Sequence, residues 1–160
     1  VLEKVYESEM ASNLGSMSKA YVLANYGLLD GDPAEVVRRY LHACSVGVTT
    51  TQLAQMGATL ANNGTNPATG VRVLSARNSR GVLSAMTVAG MYDDSGPWFY
   101  RVGLPTKSGV AGGVIAVVPN RFAIAVYSPQ LDSFGNSVRA TAVIRELSER
   151  WNLHVLDSQN

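Results

Sequence analysis

Cysteine, histidine and lysine are scarce in this chain of 160 residues, which carries one Cys44, two histidines and three lysines. A lone thiol closes no internal disulfide, so the chain is not a small stapled scaffold, and an unbridged cysteine suits a reducing compartment, the cytoplasm. His42 and His154 are too few to build a metal centre, and neither a metal nor any other cofactor is expected. No stretch approaches the roughly 18 to 20 apolar residues of a membrane span, and Val1-Leu2-Glu3-Lys4 lacks the layout of a signal peptide. Charged residues make up only 16% of the chain, and the net charge is +1. The arginines are dispersed among comparable numbers of acids, so no field exists to hold a phosphate backbone, and nucleic acid is not an expected partner. A Gly-x-Ser-x-Gly turn is also absent, as is a Gly-Lys-Ser/Thr step before a helix, which removes a nucleophile elbow and a phosphate loop.

What remains is 46% hydrophobic, enough for a sizeable core in one domain of ordinary length. The first half reads helical. From Ser12, the apolar Leu14, Met17, Tyr21 and Ala24 recur at helical spacing until Gly27. Asp32-Pro33-Ala34-Glu35 opens a second helix with a cap, a proline at the first position and a capping-box acid; Val36, Val37, Tyr40, Leu41 and Cys44 give it a wide apolar face. Thr49-Thr50-Thr51-Gln52 starts a third, with Leu53, Met56, Gly57 and Leu60 as its buried stripe and Gly64 as its stop. The turn-rich segment 62–70 is the best internal boundary.

Beyond that segment the pattern changes. One more helix, over about 75–91, is expected to precede a strand at Trp98-Phe99-Tyr100-Arg101-Val102, whose aromatic and branched content suits a sheet. Residues 113–118 and 122–127, joined by Pro119-Asn120-Arg121, read as a hairpin, and 137–151 as a closing helix. Neither hairpin arm alternates apolar with polar, so both faces of these strands should be covered. About three strands are too few for a sheet buried on both faces, and its edges need protection. The expectation is therefore an α+β chain, a helical part over 5–64 and an α/β part over 71–156, whose sheet is incomplete. Together with the non-Met start, this reads as a portion of a larger catalytic domain.

One glycine cluster stands out chemically. In Gly103-Leu104-Pro105-Thr106-Lys107-Ser108-Gly109-Val110-Ala111-Gly112-Gly113, a lysine-serine-glycine step leads into a buried strand, and bare glycines admit a substrate close to the backbone. It resembles the Lys-Thr-Gly element of serine penicillin-recognising enzymes. The same residues equally suit a glycine-rich turn entering a hairpin. Those enzymes also need a Ser-x-x-Lys, in which lysine eases formation of the serine alkoxide. Ser16-Met17-Ser18-Lys19 has the letters, a pattern that a serine-rich chain produces readily by chance.

A wider resemblance absorbs these pieces. Ser8-Glu9, residues 40–46 (Tyr40-Leu41-His42-Ala43-Cys44-Ser45-Val46), Leu60-Ala61-Asn62-Asn63-Gly64, Gly90-Met91-Tyr92, the 101–110 block, Ala123-Ile124-Ala125-Val126-Tyr127-Ser128-Pro129 and Gly135-Asn136-Ser137 together resemble the C-terminal half of the serine-dependent glutaminases. The resemblance runs over about residues 5 to 156. It implies a β-lactamase-like fold and hydrolysis of L-glutamine to L-glutamate and ammonia through an acyl-serine, with no cofactor, in a cytoplasmic homo-oligomer. It implies substrate-binding roles for Glu9, whose carboxylate suits the α-ammonium of glutamine, for Ser16 and for Tyr40. It makes Tyr92 the tyrosine that relays the nucleophile's proton and Val110 the residue whose N–H helps form the oxyanion hole. Ser16 stands where the family carries an asparagine, and the family's nucleophilic Ser-x-x-Lys precedes the region matched here, which makes Ser16–Lys19 a coincidence of letters. The alternatives are a catalytically dead binding or assembly module on the same scaffold, and a penicillin-recognising or esterase-type serine hydrolase.

Overall fold

The computed structural model describes residues 1–157. They fall into two compact units that divide after Val48. The turn-rich 62–70 segment lies inside the second unit, because the helix that opens after Thr49 packs on the sheet.

The first unit holds α1 (Glu3–Ala11), α2 (Leu14–Asn25) and α3 (Pro33–Cys44). Asp32 caps α3 as its sequence implies, its carboxylate accepting from the Ala34 and Glu35 amides at 3.4 and 3.3 Å. The expected capping box is not completed. The Glu35 carboxylate turns outward to Arg38 and Arg39 at 2.8 Å each, because two guanidinium partners outcompete one backbone N–H. They hold its pKa down at about 2. The core is small: Ala20, Val37 and Leu41, with Tyr6, Met10, Met17 and Leu29 against them. The broad apolar face expected of α3 therefore narrows to Val37 and Leu41, leaving Tyr40 57% exposed and Cys44 at the surface. Helix α1 has no counterpart in the sequence reading, since it buries no residue fully and has no side-chain cap.

In the second unit, α4 (Thr50–Ala61) starts at a complete capping box, Gln52 N–H to Thr49 Oγ1 at 3.2 Å and Thr49 N–H to Gln52 Oε1 at 2.9 Å. Then come α5 (Ala76–Ala89), a 3-10 turn at Tyr92–Asp94, α6 (Ser95–Val102), the strands β1 (Thr106–Ser108), β2 (Gly113–Val118) and β3 (Phe122–Tyr127), and α7 (Val138–Trp151). The strand expected at 98–102 is instead the end of α6. Trp98 and Val102, four apart, are both buried, while Tyr100 is 85% exposed; that is helical spacing, and packing of the helical face overrides the strand propensity of the aromatic run. The third strand is Thr106–Ser108, hidden in the glycine cluster.

The hairpin forms in the expected register, with Gly113 opposite Tyr127 and Val118 opposite Phe122; β1 lies on the other side of β2, pairing Thr106 with Ala116 and Ser108 with Val114. Every strand pair is antiparallel and β2 is central. Val114, Ala116 and Val118 face one core with Trp98, Val102, Ala140 and Ile144, whereas Ile115 and Val117 face another with Ala61 and Met86. This two-sided burial explains why the strand shows no alternation. The outer edge of β3 pairs with no strand among the described residues.

Two glycines permit the close packing. A Cβ at Gly57 would lie 2.5 Å from Ala123 Cβ, so α4 can sit directly on β3; one at Gly90 would lie 1.8 Å from the Thr106 carbonyl oxygen, so the end of α5 can meet β1. Gly81, in the middle of α5, would meet nothing within 4 Å. In the complete protein, Gly90→Ala should therefore cost about 3 kcal/mol or more by urea unfolding, because the obstruction is backbone. Gly81→Ala should instead stabilise by about 0.5 to 1 kcal/mol. Equal effects of the two would contradict this packing.

Candidate active site

Tyr92 sits where α5 gives way to the 3-10 turn, and its φ of +54° is in the left-handed region that bulky side chains rarely adopt. The surrounding bonds hold it there. Ser95 Oγ accepts from the Met91 amide at 3.0 Å and donates to the Tyr92 carbonyl at 2.7 Å; the Met91 carbonyl accepts from the Asp94 amide and from Asn136 Nδ2, both at 3.2 Å. The phenol is aimed by these constraints at β1. Its hydroxyl donates to the Ser108 carbonyl at 3.4 Å, and Lys107 Nζ lies 4.6 Å from the ring centre while donating to the same carbonyl. Loss of water around that ammonium pushes the Lys107 pKa below the ordinary lysine value. A cation and a phenol thus converge on one backbone oxygen.

Val110 lies in the turn between β1 and β2, closed by Gly109 N–H to Gly113 O at 2.9 Å and Gly112 N–H to Gly109 O at 2.8 Å. Its residue is 70% exposed, and its own N–H has no acceptor among the described residues. The position a Cβ would take on Gly135 is 3.5 Å from Tyr92 Cε2 and 3.7 Å from Val110 Cγ1, so both residues flank the same glycine. Ser108 Oγ and Asn136 Oδ1 are buried with no hydrogen-bond partner among the described residues. The second unit therefore assembles Tyr92, Lys107, Ser108 and Val110 at one place, where the amide of an exposed residue, with no acceptor among the described residues, lies near a phenol and an ammonium.

The other three site residues belong to the first unit, one on each helix: Glu9 on α1, exposed; Ser16 on α2, half-buried; Tyr40 on α3, exposed. Among the described residues the Glu9 carboxylate has no ion-pair partner, and no hydrogen bond joins Ser16 to Lys19. No group of three or more His, Cys, Asp or Glu side chains that could hold a metal ion occurs among the described residues, and none of their helices is long and apolar enough to cross a membrane. The sequence reading missed Ser95 and Asn136 as supports of Tyr92. Asn136 had a signal, since Gly135-Asn136-Ser137 is one of the blocks that carry the resemblance.

Comparison with known proteins fits this geometry into a lineage. The Glutaminase family profile matches residues 1–156. The chain belongs to the glutaminase family. It is 48% identical over 153 residues to the glutaminase of Mycobacterium ulcerans, covering 96% of this chain and 48% of the relative, and 47% identical over 155 residues to that of Colwellia psychrerythraea, covering 97% and 50%. The chain thus spans about half the length of the curated relatives it matches. The solved structure of Mglu in its glutamate form superposes with a TM-score of 0.92 at 46% identity, covering 98% of this chain and 36% of that one. The Bacillus subtilis probable glutaminase gives 0.91 at 29% identity, covering 96% and 53%. The α+β architecture is that of the glutaminases, a β-lactamase-like fold, as expected from the sequence.

A hydroxyl buried without a partner contributes nothing to offset its desolvation. Ser108→Ala in the complete protein should accordingly leave unfolding free energy unchanged or raise it by up to about 1 kcal/mol, measured by urea titration. A loss larger than that would show that the hydroxyl is paired in the complete protein.

Proposed function

We propose that the protein containing this chain hydrolyses L-glutamine to L-glutamate and ammonia through an acyl-serine intermediate. The observation that carries the reading is the convergence of the Tyr92 phenol and the Lys107 ammonium on the Ser108 carbonyl, beside the exposed Val110 amide. The nucleophile is the serine of a Ser-x-x-Lys outside this chain. Its oxygen attacks the side-chain amide carbon, and its proton passes through the Tyr92 hydroxyl to the leaving nitrogen, which departs as ammonia. The Val110 N–H stabilises the oxyanion that develops at the carbonyl oxygen, a fixed donor that needs no reorganisation in the transition state. Water then attacks the acyl-serine by the same proton path in reverse, releasing glutamate and restoring the serine.

Glu9 is the partner of the substrate's α-ammonium, and Tyr40 and Ser16 contact the rest of the amino acid. That a relative 46% identical to this chain is solved in a glutamate form supports glutamate as the product this family site accepts. An exposed, unbridged Cys44 supports the cytoplasm as its compartment, and exposed Tyr26, Leu28 and Tyr100 supply apolar surface that a second copy can cover in a homo-oligomer. On this proposal the chain is the C-terminal part of one catalytic domain, and neither nucleic acid nor a membrane is its partner. Ser16 in the family's asparagine position favours the rival reading of a dead module, which predicts no turnover under any conditions.

In a coupled assay for ammonia, the complete protein should turn over glutamine and the 160-residue chain alone should remain at background. Tyr92→Phe keeps the ring and removes the hydroxyl, so kcat should fall by about 10² to 10⁴ with KM little changed. Glu9→Gln should act chiefly on KM. A folded Tyr92→Phe enzyme with near-normal kcat would overturn the proton-relay assignment.

A further inference from the structure

Asn136 is 1% exposed, yet among the described residues one end of its amide is used: Nδ2 donates to the Met91 carbonyl at 3.2 Å, while Oδ1 is buried and has no donor there. A side chain selected only for stability would be apolar here, since a half-satisfied buried amide loses more to desolvation than one hydrogen bond returns. The retained donor must serve what it holds. What it holds is the peptide immediately before Tyr92, the bulky residue kept at φ +54°.

Asn136 is itself fixed from behind. The Asp132 carboxylate accepts from the Phe134 and Asn136 amides at 2.9 Å each, Asp132 N–H donates to the Asn136 carbonyl at 2.8 Å, and Gly135 N–H donates to the Asp132 carbonyl at 3.1 Å. The same turn sets Gly135 beside the Tyr92 ring and Val110, where an added Cβ would lie 3.5 and 3.7 Å from them. So a rigid loop between β3 and α7 grips the Met91–Tyr92 peptide from one side, and Ser95 grips it from the other through the Met91 amide and the Tyr92 carbonyl. The Asp94 amide also reaches the Met91 carbonyl, but it lies on the same turn and moves with it.

We propose that Asn136 is a positioning residue for Tyr92: its amide, by holding the Met91 carbonyl, keeps the left-handed turn that aims the phenol at the Ser108 carbonyl. This rests on the reading above in which Tyr92 carries the proton. Without that hold the strained φ relaxes toward the ordinary right-handed or extended regions and the phenol leaves its place. A displacement of about 1 Å in a reacting group is enough to lower a rate by about 10²-fold.

The test uses the complete protein with three substitutions. Asn136→Leu preserves volume without a donor, Asn136→Ala removes both, and Asn136→Asp preserves shape while turning the donor into an acceptor. Asn136→Leu and Asn136→Ala should lower kcat by about 10 to 100-fold with KM within about twofold, whatever they do to the melting temperature. Asn136→Asp should match them at neutral pH, where its carboxylate opposes the Met91 carbonyl. As pH falls the new carboxyl takes a proton and donates again, so its kcat relative to wild type should rise. Asp132 on the same loop, together with Tyr92 and Lys107, is present in both proteins, and the ratio to wild type removes their contribution. A folded Asn136→Leu enzyme with near wild-type kcat, or a ratio for Asn136→Asp that does not change with pH, would overturn the proposal. If the wild-type protein does not hydrolyse glutamine, the functional reading fails, and the positioning claim is decided by the crystal structure of Asn136→Leu. Tyr92 with a negative φ and its phenol away from the Ser108 carbonyl supports it; an unmoved Tyr92 overturns it.

Discussion

The second unit depends on one strand being buried on both faces. In β2, Val114 through Val118 are all shielded, and each fully buried valine or isoleucine contributes about 1.5 to 3 kcal/mol relative to exposure. Such a strand demands a layer on each side. One layer comes from α6 and α7 through Trp98, Val102, Ala140 and Ile144, the other from α4 and α5 through Ala61 and Met86. Once α5 is committed to one face and α6 to the other, the chain between them must cross past the edge of β1. That crossing is Gly90–Asp94, and it contains Tyr92.

The geometry of the site is a consequence of that crossing. Gly90 has no side chain, so its carbonyl can accept from the Ser108 amide at 3.0 Å, which stitches the crossing to β1. Two residues later the backbone has to reverse, and the reversal is taken up by the left-handed Tyr92, clamped by Ser95 and Asn136. Its phenol then falls on the strand that carries Lys107 and Ser108. A strained tyrosine next to a desolvated lysine is a poor choice for stability, and local rules broken in this way concentrate at functional positions. The Val110 amide completes the group because the β1–β2 turn closes through the Gly109 and Gly112 amides and leaves that of Val110 free among the described residues.

Much of this was legible in the residues. The hairpin emerged because an uninterrupted run of branched residues, a Pro-Asn-Arg turn and a second such run leave little choice, and the caps at Asp32, Thr49 and Ser137 begin helices where side-chain oxygens can reach orphan amides. Helix α6 was misread as a strand because composition was weighed before spacing, and only the burial of Trp98 and Val102 on one stripe shows the period. Helix α1 was invisible, for it has neither a cap nor a buried stripe. Tyr40 was placed on an apolar face by period alone, although the small core of the first unit reaches only Val37 and Leu41. The site roles came from resemblance rather than pattern, since no local rule connects the Met91 carbonyl before Tyr92 with Asn136, which is 45 positions away. Nor does a side-chain code announce a positive φ on a tyrosine.

In the proposed reaction the Val110 amide and the Tyr92 phenol face the reacting carbon of glutamine. A crystal structure of the complete protein with bound glutamate tests it most directly. One oxygen of the side-chain carboxylate is expected at about 2.7 to 3.1 Å from the Val110 nitrogen, with the Tyr92 hydroxyl beside the same group. Glutamate bound with that carboxylate away from both Val110 and Tyr92 would contradict it.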